Sequence, residues 1–550
     1  MKPNAKAFRQ WHWLALGALL LGEFLILDRV ISQYHAWVYP RWNDQIQYLT
    51  EAYMGYEYLK LHGFFPSLWQ TLINPAAQGT LHDFFAVLIF TIAGPSRSAA
   101  LSVNLFYLLA WQLALFGAVI KTTQAKSLAF ASVGLLLAFN TLSWGGPGSA
   151  VDFRLDWMAA CAMGIALALA LCTAGFRSTR WSLLFGTAVG FSLLTRFLTG
   201  AYFAPIFAGL FIWCLVGEEC GRRAGNLLLA ALIAFALSAP FFWLNRSWVY
   251  DYYLIGHFTG PESALRSPNM GITRSLSWLI QNWWSLHVGA KCAWLILSTT
   301  LGLVIAARVN QPQNPLPAAD LSSKKTQAAD WGILGAIFLL APTLVLTLHE
   351  QKSELVLSIL LPGAIVLVLR LWQSLANYSA NRSFPAILSW GVLAVSSYLA
   401  VNALAKPERA AGFEASTRKV NALADYFYDT QLKAKLVNPR LGADQVTDSL
   451  DGQIMRVLCY ERHKTWVPFI MTLPTGIMEE KPEVLMERLR QSDFMFLTER
   501  MPSEGAWPYD RQMRRLYPQL KAWCEQNLKP VETFLLFDRQ MMLYQRRDLP

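Results

Sequence analysis

Residues Tyr39–Tyr48 read Tyr-Pro-Arg-Trp-Asn-Asp-Gln-Ile-Gln-Tyr and follow the first hydrophobic run of the chain. They open a long polar segment, after which most of the chain is a succession of apolar runs. Asn43 or Asp44 is a favourable N-cap, so we predict a helix over 44–62. Asp44 is the first candidate functional residue, because the N-terminus of a helix keeps a carboxylate ionised. The same position has a structural explanation, since Asp44 could simply cap the helix.

The apolar runs predict a polytopic membrane protein. The chain has 550 residues, 54% of them apolar, and its runs approach the roughly 20 residues that cross a bilayer. The first run lacks a small-residue cleavage site after it, so we predict a retained span rather than a signal peptide. The eleven predicted spans are approximately 11–30, 98–120, 127–142, 157–175, 181–195, 198–216, 225–243, 285–307, 331–348, 355–372 and 385–404.

The net charge of +11 indicates topology rather than a nucleic-acid partner, because much of it lies in short loops between spans. Lys2, Lys6 and Arg9 precede the first span and predict a cytoplasmic N-terminus. We therefore predict a transmembrane domain over 1–405, with a long first outer loop over 31–97, and a periplasmic domain over 406–550. In that loop, 64–74 and 81–93 are too short to cross and are predicted to lie at the interface. Residues 308–330 are predicted to be an inner linker.

Beyond residue 405 the chain is less apolar and predicts a small α/β domain. Its predicted strands are Gln453–Tyr460, Asp493–Thr498, Phe534–Phe537 and Met541–Tyr544, and its predicted helices are Pro482–Gln491 and Tyr509–Asn527. Cys459 and Cys524 either pair in an oxidising compartment or are buried thiols, and the sequence leaves both alternatives open.

Polar residues from distant loops gather on the predicted outer face. They are Asp44, Tyr48, Glu51, His82, Asp83, Asp152, Arg154, Asp156, Arg196, His257, His349 and Lys352. Ionisable groups near lipid are costly unless they line a wet cavity or serve a site. The spans are nearly free of charge apart from Glu23, which we predict to pair with Arg196. This pattern favours a cavity at the outer face, roofed by the C-terminal domain.

Four features of the first 405 residues resemble one enzyme class. The long first outer loop carries an acid soon after span 1, with Tyr48 one turn beyond Asp44. The loop ends in a His-bearing stretch, Leu81–Phe84. A second outer loop, Asp152–Asp156, carries acids and an Arg, and a late outer turn carries His349 and Lys352 before a span with a Pro. The chain resembles the GT-C class of membrane glycosyltransferases, above all the bacterial relatives of protein O-mannosyltransferase and of lipid A aminoarabinose transferase.

The resemblance implies an α-helical GT-C fold and an inverting hexosyl- or pentosyltransferase in a bacterial inner membrane. The implied donor is a sugar on polyprenyl phosphate, and the acceptor is a lipid, a glycan or a protein at the outer face. Asp44 is the implied catalytic carboxylate, and Asp156 is a second carboxylate that could assist it. The implied substrate-binding residues are Tyr48, His82, Asp83, Asp152, Arg154, Arg196, His349 and Lys352, with the cations holding the leaving phosphate.

No cofactor is certain from the sequence. A divalent cation stays open, although one His and one Asp, here His82 and Asp83, are too few ligands to predict a metal site. A Gly-rich nucleotide loop between a strand and a helix is missing, which agrees with a lipid-linked donor rather than a nucleotide sugar.

Structural alternatives and other functions remain. Lys352 and Arg196 could be cations snorkelling at span ends, Arg154 could pair locally with Asp152 or Asp156, and His82 could be structural. A transporter or flippase for a lipid-linked precursor would carry mid-membrane charge and paired broken helices. A non-catalytic assembly protein is a further possibility. It rests on two departures from the family pattern, Leu-His-Asp-Phe for His-Pro-Pro-Leu and a late turn without Arg-Tyr. A third departure is Asn-Asp for Asp-Glu in the first loop.

Overall fold

The structure is a computed structural model of the chain. It describes residues 11–38, 43–74, 78–143, 146, 148–256, 270–309, 318–350, 352–378, 383–405, 410–444, 452–467, 470–471, 482–499, 511–536 and 539–550.

Helices dominate the described part of the chain. Up to residue 256 they are Trp11–Tyr34, Asn43–His62, Phe64–Ile73, Leu81–Ala93, Arg97–Thr123, Lys126–Ala138, Asn140–Ser143, Leu155–Leu171, Thr179–Thr195, Thr199–Leu215, Cys220–Leu244, Arg246–Val249 and a π-helical stretch Tyr250–Gly256. Later helices are Gly271–Asn282, a π-helical stretch Trp283–Val288, Gly289–Val309, Ala318–Leu348, a 3₁₀ stretch Glu354–Leu360, Leu361–Tyr378, Ser383–Leu404, Ala410–Ala434, Gly452–His463, Pro482–Leu489 and Arg511–Asn527.

The helices identify an integral membrane protein. Each of the eleven predicted spans overlaps one helix or two consecutive helical segments, and the number of helices that cross the membrane stays a prediction. Six segments of the described residues are long and apolar enough to cross a bilayer by themselves: Arg97–Thr123, Cys220–Leu244, Gly271–Arg308, Asp330–Leu348, Glu354–Tyr378 and Ser383–Leu404. Shorter apolar helices supply three of the other predicted spans, namely Lys126–Ala138, Leu155–Leu171 and Thr199–Leu215. The two short stretches predicted to lie at the interface are the helices Phe64–Ile73 and Leu81–Ala93.

The helix Leu155–Leu171 lies at the centre of the bundle and is buried on nearly every face. It packs against the helix Arg97–Thr123. The contact needs a glycine, because a Cβ on Gly164 would lie 2.1 Å from the Trp111 ring. Asp156 lies in the first turn of this central helix.

A five-stranded sheet lies in the C-terminal part, in the order β2-β1-β3-β5-β4. The strands are β1 (Arg440–Ala443), β2 (Ile470–Met471), β3 (Phe494–Thr498), β4 (Leu528–Leu536) and β5 (Arg539–Arg546). Strands β2, β1 and β3 are parallel, whereas β5 runs antiparallel to β3 and β4. Successive side chains of a strand face opposite sides of a sheet. Accordingly Phe494 and Phe496 pack on Phe427, while Met495 and Leu497 join the core with the two helices Pro482–Leu489 and Arg511–Asn527.

The sheet confirms most of the predicted C-terminal elements. Strands β3, β4 and β5 contain the described parts of three predicted strands, except that β3 begins at Phe494, one residue after the predicted start. The two predicted helices are present with shifted ends. The end residues Phe537 and Tyr509 lie outside the described residues. Cys459 and Cys524 are buried free thiols in separate hydrophobic clusters, which decides the alternative that the sequence left open.

Two predictions of local structure are wrong. Gln453–Tyr460 is part of a helix, Gly452–His463, rather than a strand. Its buried Met455, Leu458 and Cys459 follow the i, i+3, i+4 spacing of one helix face, and the short apolar run hid that period. The predicted linker 308–330 is partly helical, because the helix Ala318–Leu348 begins inside it.

Candidate active site

Asp44 lies in the first turn of the helix Asn43–His62. Its carboxylate accepts a hydrogen bond from the Arg154 guanidinium and forms an ion pair with it. The Asp44 side chain is 48% exposed, whereas the Arg154 side chain is only 8% exposed. Capping alone therefore does not account for Asp44, since one of its oxygens faces a buried cation from a distant loop.

Asp152 connects two segments of the site: the loop that contains Arg154 and the helix Asn43–His62, which contains Asp44. Its carboxylate accepts the Gly148 backbone N–H at 2.7 Å and the side-chain amide of Gln45 at 2.5 Å. The Asn104 side chain donates to the carbonyl groups of Ala150 and Asp152, both at 2.9 Å. Burial raises the pKa of Asp152 to about 6, although Arg154 and the hydrogen bonds from Gly148 and Gln45 act in the opposite direction. This geometry favours a positioning role for Asp152.

Asp156 links two guanidinium groups. One carboxylate oxygen lies 3.7 Å from Arg154 Nε, and the other forms an ion pair with Arg196. Arg154 Nε also lies 3.8 Å from Asp152. Both Nε distances exceed hydrogen-bonding range, so they are charge contacts. The predicted pair of Glu23 with Arg196 is wrong, because Arg196 pairs with Asp156 and Glu23 accepts the Gln112 amide at 2.8 Å.

A glycine brings the Gln78 segment against the Arg196 segment. Thr80 N–H donates to the Leu194 carbonyl at 2.9 Å, and Phe197 N–H donates to the Gln78 carbonyl at 2.7 Å. A Cβ on Gly79 would lie 2.2 Å from the Thr195 carbonyl oxygen. Only a glycine therefore allows these two segments to approach so closely.

Tyr48 joins this arrangement through its ring and its hydroxyl. The hydroxyl donates to the Gln78 side-chain carbonyl, and the Gln78 amide donates to the Tyr252 hydroxyl at 3.1 Å. The Tyr48 ring meets the His82 ring edge to face, with centroids 4.9 Å apart. Burial raises the pKa of Tyr48 well above its usual range, so the phenol stays a neutral donor.

His82 lies buried between two carboxylates. Its Nε2 is 3.1 Å from Asp83 and 3.8 Å from Glu51. Burial alone would lower the pKa of His82, but Asp83 and Glu51 outweigh it and raise the pKa to about 9. The three side chains each offer one ligand atom within 4.8 Å of the others. The set is therefore an ion-paired imidazolium that could hold a cation only after losing its proton.

Lys352 is bound at the C-terminal end of the helix Ala318–Leu348. Its ammonium donates to the carbonyl groups of Leu346 and Thr347 at 3.0 Å and of His349 at 2.5 Å. These bonds use all three N–H donors of a lysine. Burial lowers the pKa of Lys352. A phosphate could engage Lys352 only in exchange for helix-end carbonyls.

The structure brings eight of the ten predicted site residues into one connected cluster. They are Asp44, Tyr48, His82, Asp83, Asp152, Arg154, Asp156 and Arg196. Gln45, Gln78 and Tyr252 belong to the cluster as well. His257 lies outside the described residues.

No protein-family model matches the chain, and no curated protein matches it. Solved structures do match. The apo crystal structure of ArnT from Cupriavidus metallidurans is 13% identical, covers 98% of this chain and 98% of its own, and has a TM-score of 0.58. The structure of the same protein bound to undecaprenyl phosphate is 14% identical, covers 97% and 98%, and has a TM-score of 0.58.

This chain therefore has the fold of ArnT. The resemblance that the sequence indicated is therefore confirmed at the level of the fold. Because the match covers nearly the whole chain, it includes the C-terminal residues as well as the helical bundle.

Proposed function

We propose that this protein is an inverting glycosyltransferase that moves a hexosyl or pentosyl group from a polyprenyl-phosphate donor to an acceptor. The observation that carries the proposal is the ion-paired cluster of Asp44, Arg154, Asp156 and Arg196 inside a fold shared with ArnT. One of the similar ArnT structures binds undecaprenyl phosphate. The buried guanidinium of Arg154 and the largely buried one of Arg196 could bind a leaving phosphate, and the partly exposed carboxylate of Asp44 could act as a base.

We further propose that all eleven predicted helices cross a bacterial inner membrane and that the N-terminus is cytoplasmic. The transmembrane domain would then span 1–405, with its first outer loop over 31–97. Residues 406–550 would form a periplasmic α/β domain above the site. Support comes from the contact between the helix Gly452–His463 and the helix that carries Asp44.

In the proposed reaction, an acceptor hydroxyl or amine attacks the anomeric carbon from the face opposite the phosphate. The new bond forms as the bond from the anomeric carbon to the phosphate oxygen breaks, and that oxygen keeps the electron pair. Asp44 takes the acceptor's proton. Arg154 and Arg196 stabilise the negative charge on the departing polyprenyl phosphate. The acceptor is a lipid, a glycan or a protein.

The other residues of the cluster would hold these groups in place. Asp156 orients both guanidinium groups and is the second carboxylate near the reacting atoms. Asp152 fixes the Arg154 loop. Tyr48, His82 and Asp83 would contact the sugar or the acceptor. His349 and Lys352 stay predicted phosphate contacts, although the Lys352 ammonium is engaged at a helix end.

A divalent cation remains an optional part of this proposal. The carboxylates of Glu51 and Asp83 with one His82 nitrogen fit a cation that takes mixed oxygen and nitrogen ligands. His82 Nδ1 has no hydrogen-bond partner within the described part of the chain. Three ligands leave coordination positions for substrate oxygens. Such a cation would neutralise phosphate charge when bound.

The test is sugar transfer in membranes from a radiolabelled polyprenyl-phosphate donor pool. We compare the wild type with Asp44→Asn and with Glu57→Gln, which removes one charge from the same helix, at equal protein levels. We expect Asp44→Asn to lose transfer by about 10²- to 10⁴-fold and Glu57→Gln to keep it.

Equal transfer in all three proteins would exclude Asp44 as the base and point to Asp156. Absence of transfer in the wild type, with a donor pool that a known enzyme can use, would favour a transporter or an assembly protein.

A further inference from the structure

Arg154 has a buried guanidinium group, several of whose N–H donors make no hydrogen bond to the residues that the structure describes. A guanidinium carries five N–H donors. Among the residues that the structure describes, Arg154 makes one hydrogen bond, to Asp44, and its Nε is without a hydrogen-bond partner. The side chain is 8% exposed, so water satisfies little of this capacity. A buried cation in this condition is a binding position for an oxyanion, which can accept two parallel hydrogen bonds.

The charge balance of the cluster opposes the simple addition of a phosphate. Asp44, Asp152 and Asp156 place three carboxylates around the two guanidinium groups of Arg154 and Arg196. With all five groups ionised the cluster carries one net negative charge. A phosphate that entered without any rearrangement would meet repulsion in a partly desolvated site. One carboxylate must therefore move away from the guanidinium groups before a phosphate can bind there.

The exposed fractions of the three side chains show which carboxylate can move away from the guanidinium groups. The side chains of Asp152 and Asp156 are 3% and 2% exposed, against 48% for Asp44. Asp152 is also held by a backbone N–H and by the Gln45 amide. Asp44 alone of the three can turn its carboxylate to solvent without leaving a buried charge unpaired.

We propose that Asp44 occupies the phosphate position on Arg154 and that the donor's phosphate displaces it. This inference rests on the proposed function and adds to it that donor binding controls when the base is available. Without donor, Arg154 neutralises Asp44, so the base is masked. Donor binding exchanges one anion for another on Arg154 and releases the Asp44 carboxylate beside the sugar. The base therefore becomes available only when a sugar-phosphate is present to react.

The test measures binding of undecaprenyl phosphate, without sugar, to the purified full chain in detergent, with undecaprenol as the uncharged control. We compare the wild type, Asp44→Asn, Glu57→Gln, Arg154→Gln and the double variant Asp44→Asn/Arg154→Gln. Glu57 is a matched control, because it lies on the same helix about 20 Å away at 1.5 Å per residue. Asp44→Asn removes the competitor for Arg154, and we expect it to bind undecaprenyl phosphate about fivefold more tightly.

We expect Glu57→Gln to bind like the wild type and Arg154→Gln to bind more weakly. In the double variant we expect no gain over Arg154→Gln alone, because the gain requires the guanidinium. Unchanged or weaker binding by Asp44→Asn, in a wild type that binds the phosphate and transfers sugar, would overturn the displacement and leave the proposed function standing. A wild type that binds undecaprenyl phosphate no better than undecaprenol would overturn both.

Discussion

A largely buried ion pair, Arg97–Glu461, joins the C-terminal part of the chain to the start of the helix Arg97–Thr123, and it allows a quantitative prediction. The Arg97 guanidinium donates to both Glu461 oxygens, at 3.2 and 2.6 Å, and also to the Val38 carbonyl. The Tyr53 hydroxyl donates to Glu461 at 2.8 Å. The side chains of Arg97 and Glu461 are 5% and 16% exposed. Tyr53 belongs to the helix Asn43–His62, so this pair connects three parts of the fold.

Glu461→Gln keeps the size of the side chain but removes the charge that compensates Arg97. Breaking a buried ion pair by removing one partner costs about 3–5 kcal/mol. Since the Glu461 side chain keeps some exposure, we expect the free energy of unfolding of the C-terminal part to fall by about 3 kcal/mol. The double change Arg97→Met/Glu461→Met removes both charges. Because apolar groups can replace a buried pair, we expect it to lower the free energy of unfolding by only about 1–2 kcal/mol relative to the wild type.

The neighbouring residue supplies the control. Arg462 pairs with Asp425 through two hydrogen bonds, but these side chains are 38% and 37% exposed. Exposed pairs of this kind contribute about 0.5 kcal/mol. Arg462→Gln should therefore have a small effect. Urea-dependent pulse proteolysis of the purified full chain measures the unfolded fraction of 406–550 in each variant. A Glu461→Gln loss no larger than that of Arg462→Gln would refute the reasoning from buried charge.

Two further predictions concern His82 and Lys352. The pKa of His82 is raised to about 9 from 6.5 by Asp83 and Glu51, so its stabilisation is complete below pH 6.5 and is lost as the pH rises to 9. The melting temperature of the wild type minus that of His82→Gln should therefore shrink from pH 6.5 to 9, and a constant difference would contradict this charge state. Lys352→Met removes three donors from a helix end and should lower the free energy of unfolding by about 1 kcal/mol. As a proposed phosphate contact Lys352 should also contribute to binding, so we expect the variant to bind undecaprenyl phosphate about tenfold more weakly, and an unchanged affinity would remove Lys352 from the phosphate site.

The sequence predicted the charged members of the site because charge near lipid is costly and therefore informative. Asp44, Arg154, Asp156 and Arg196 were all selected on this ground, and the structure joins them. The pair of Asp44 with Arg154 was not predictable, since it joins residues 110 positions apart in the chain. The proximity of Arg154 to Asp152 and Asp156 was one of the alternatives that the sequence offered, because these residues share one short loop. Glu23 shows the limit of the approach, because depth in the membrane suggested Arg196 as its partner and the structure gives it Gln112.

The uncharged members of the site left no comparable signal. Gln78 follows a Pro-Ala-Ala run and binds both Tyr48 and Tyr252, but a lone Gln in a loop is ordinary. The close approach at Gly79 depends on the Thr195 carbonyl, which no local pattern shows.

Helix ends explain how so many charges can be buried together. Asp44 and Asp156 lie in the first turns of their helices, and Arg196 follows the last turn of Thr179–Thr195. Carboxylates are stabilised at helix N-termini and cations at C-termini, so each of these charges has a favourable local field before any ion pair forms.

His82 is the exception, since its imidazolium lies in a first turn, where the field opposes a cation. Two carboxylates, Asp83 and Glu51, offset that opposition. The capping and catalytic roles of Asp44 are compatible, because the helix N-terminus that stabilises negative charge beside Arg154 would also stabilise it after the phosphate has displaced the carboxylate.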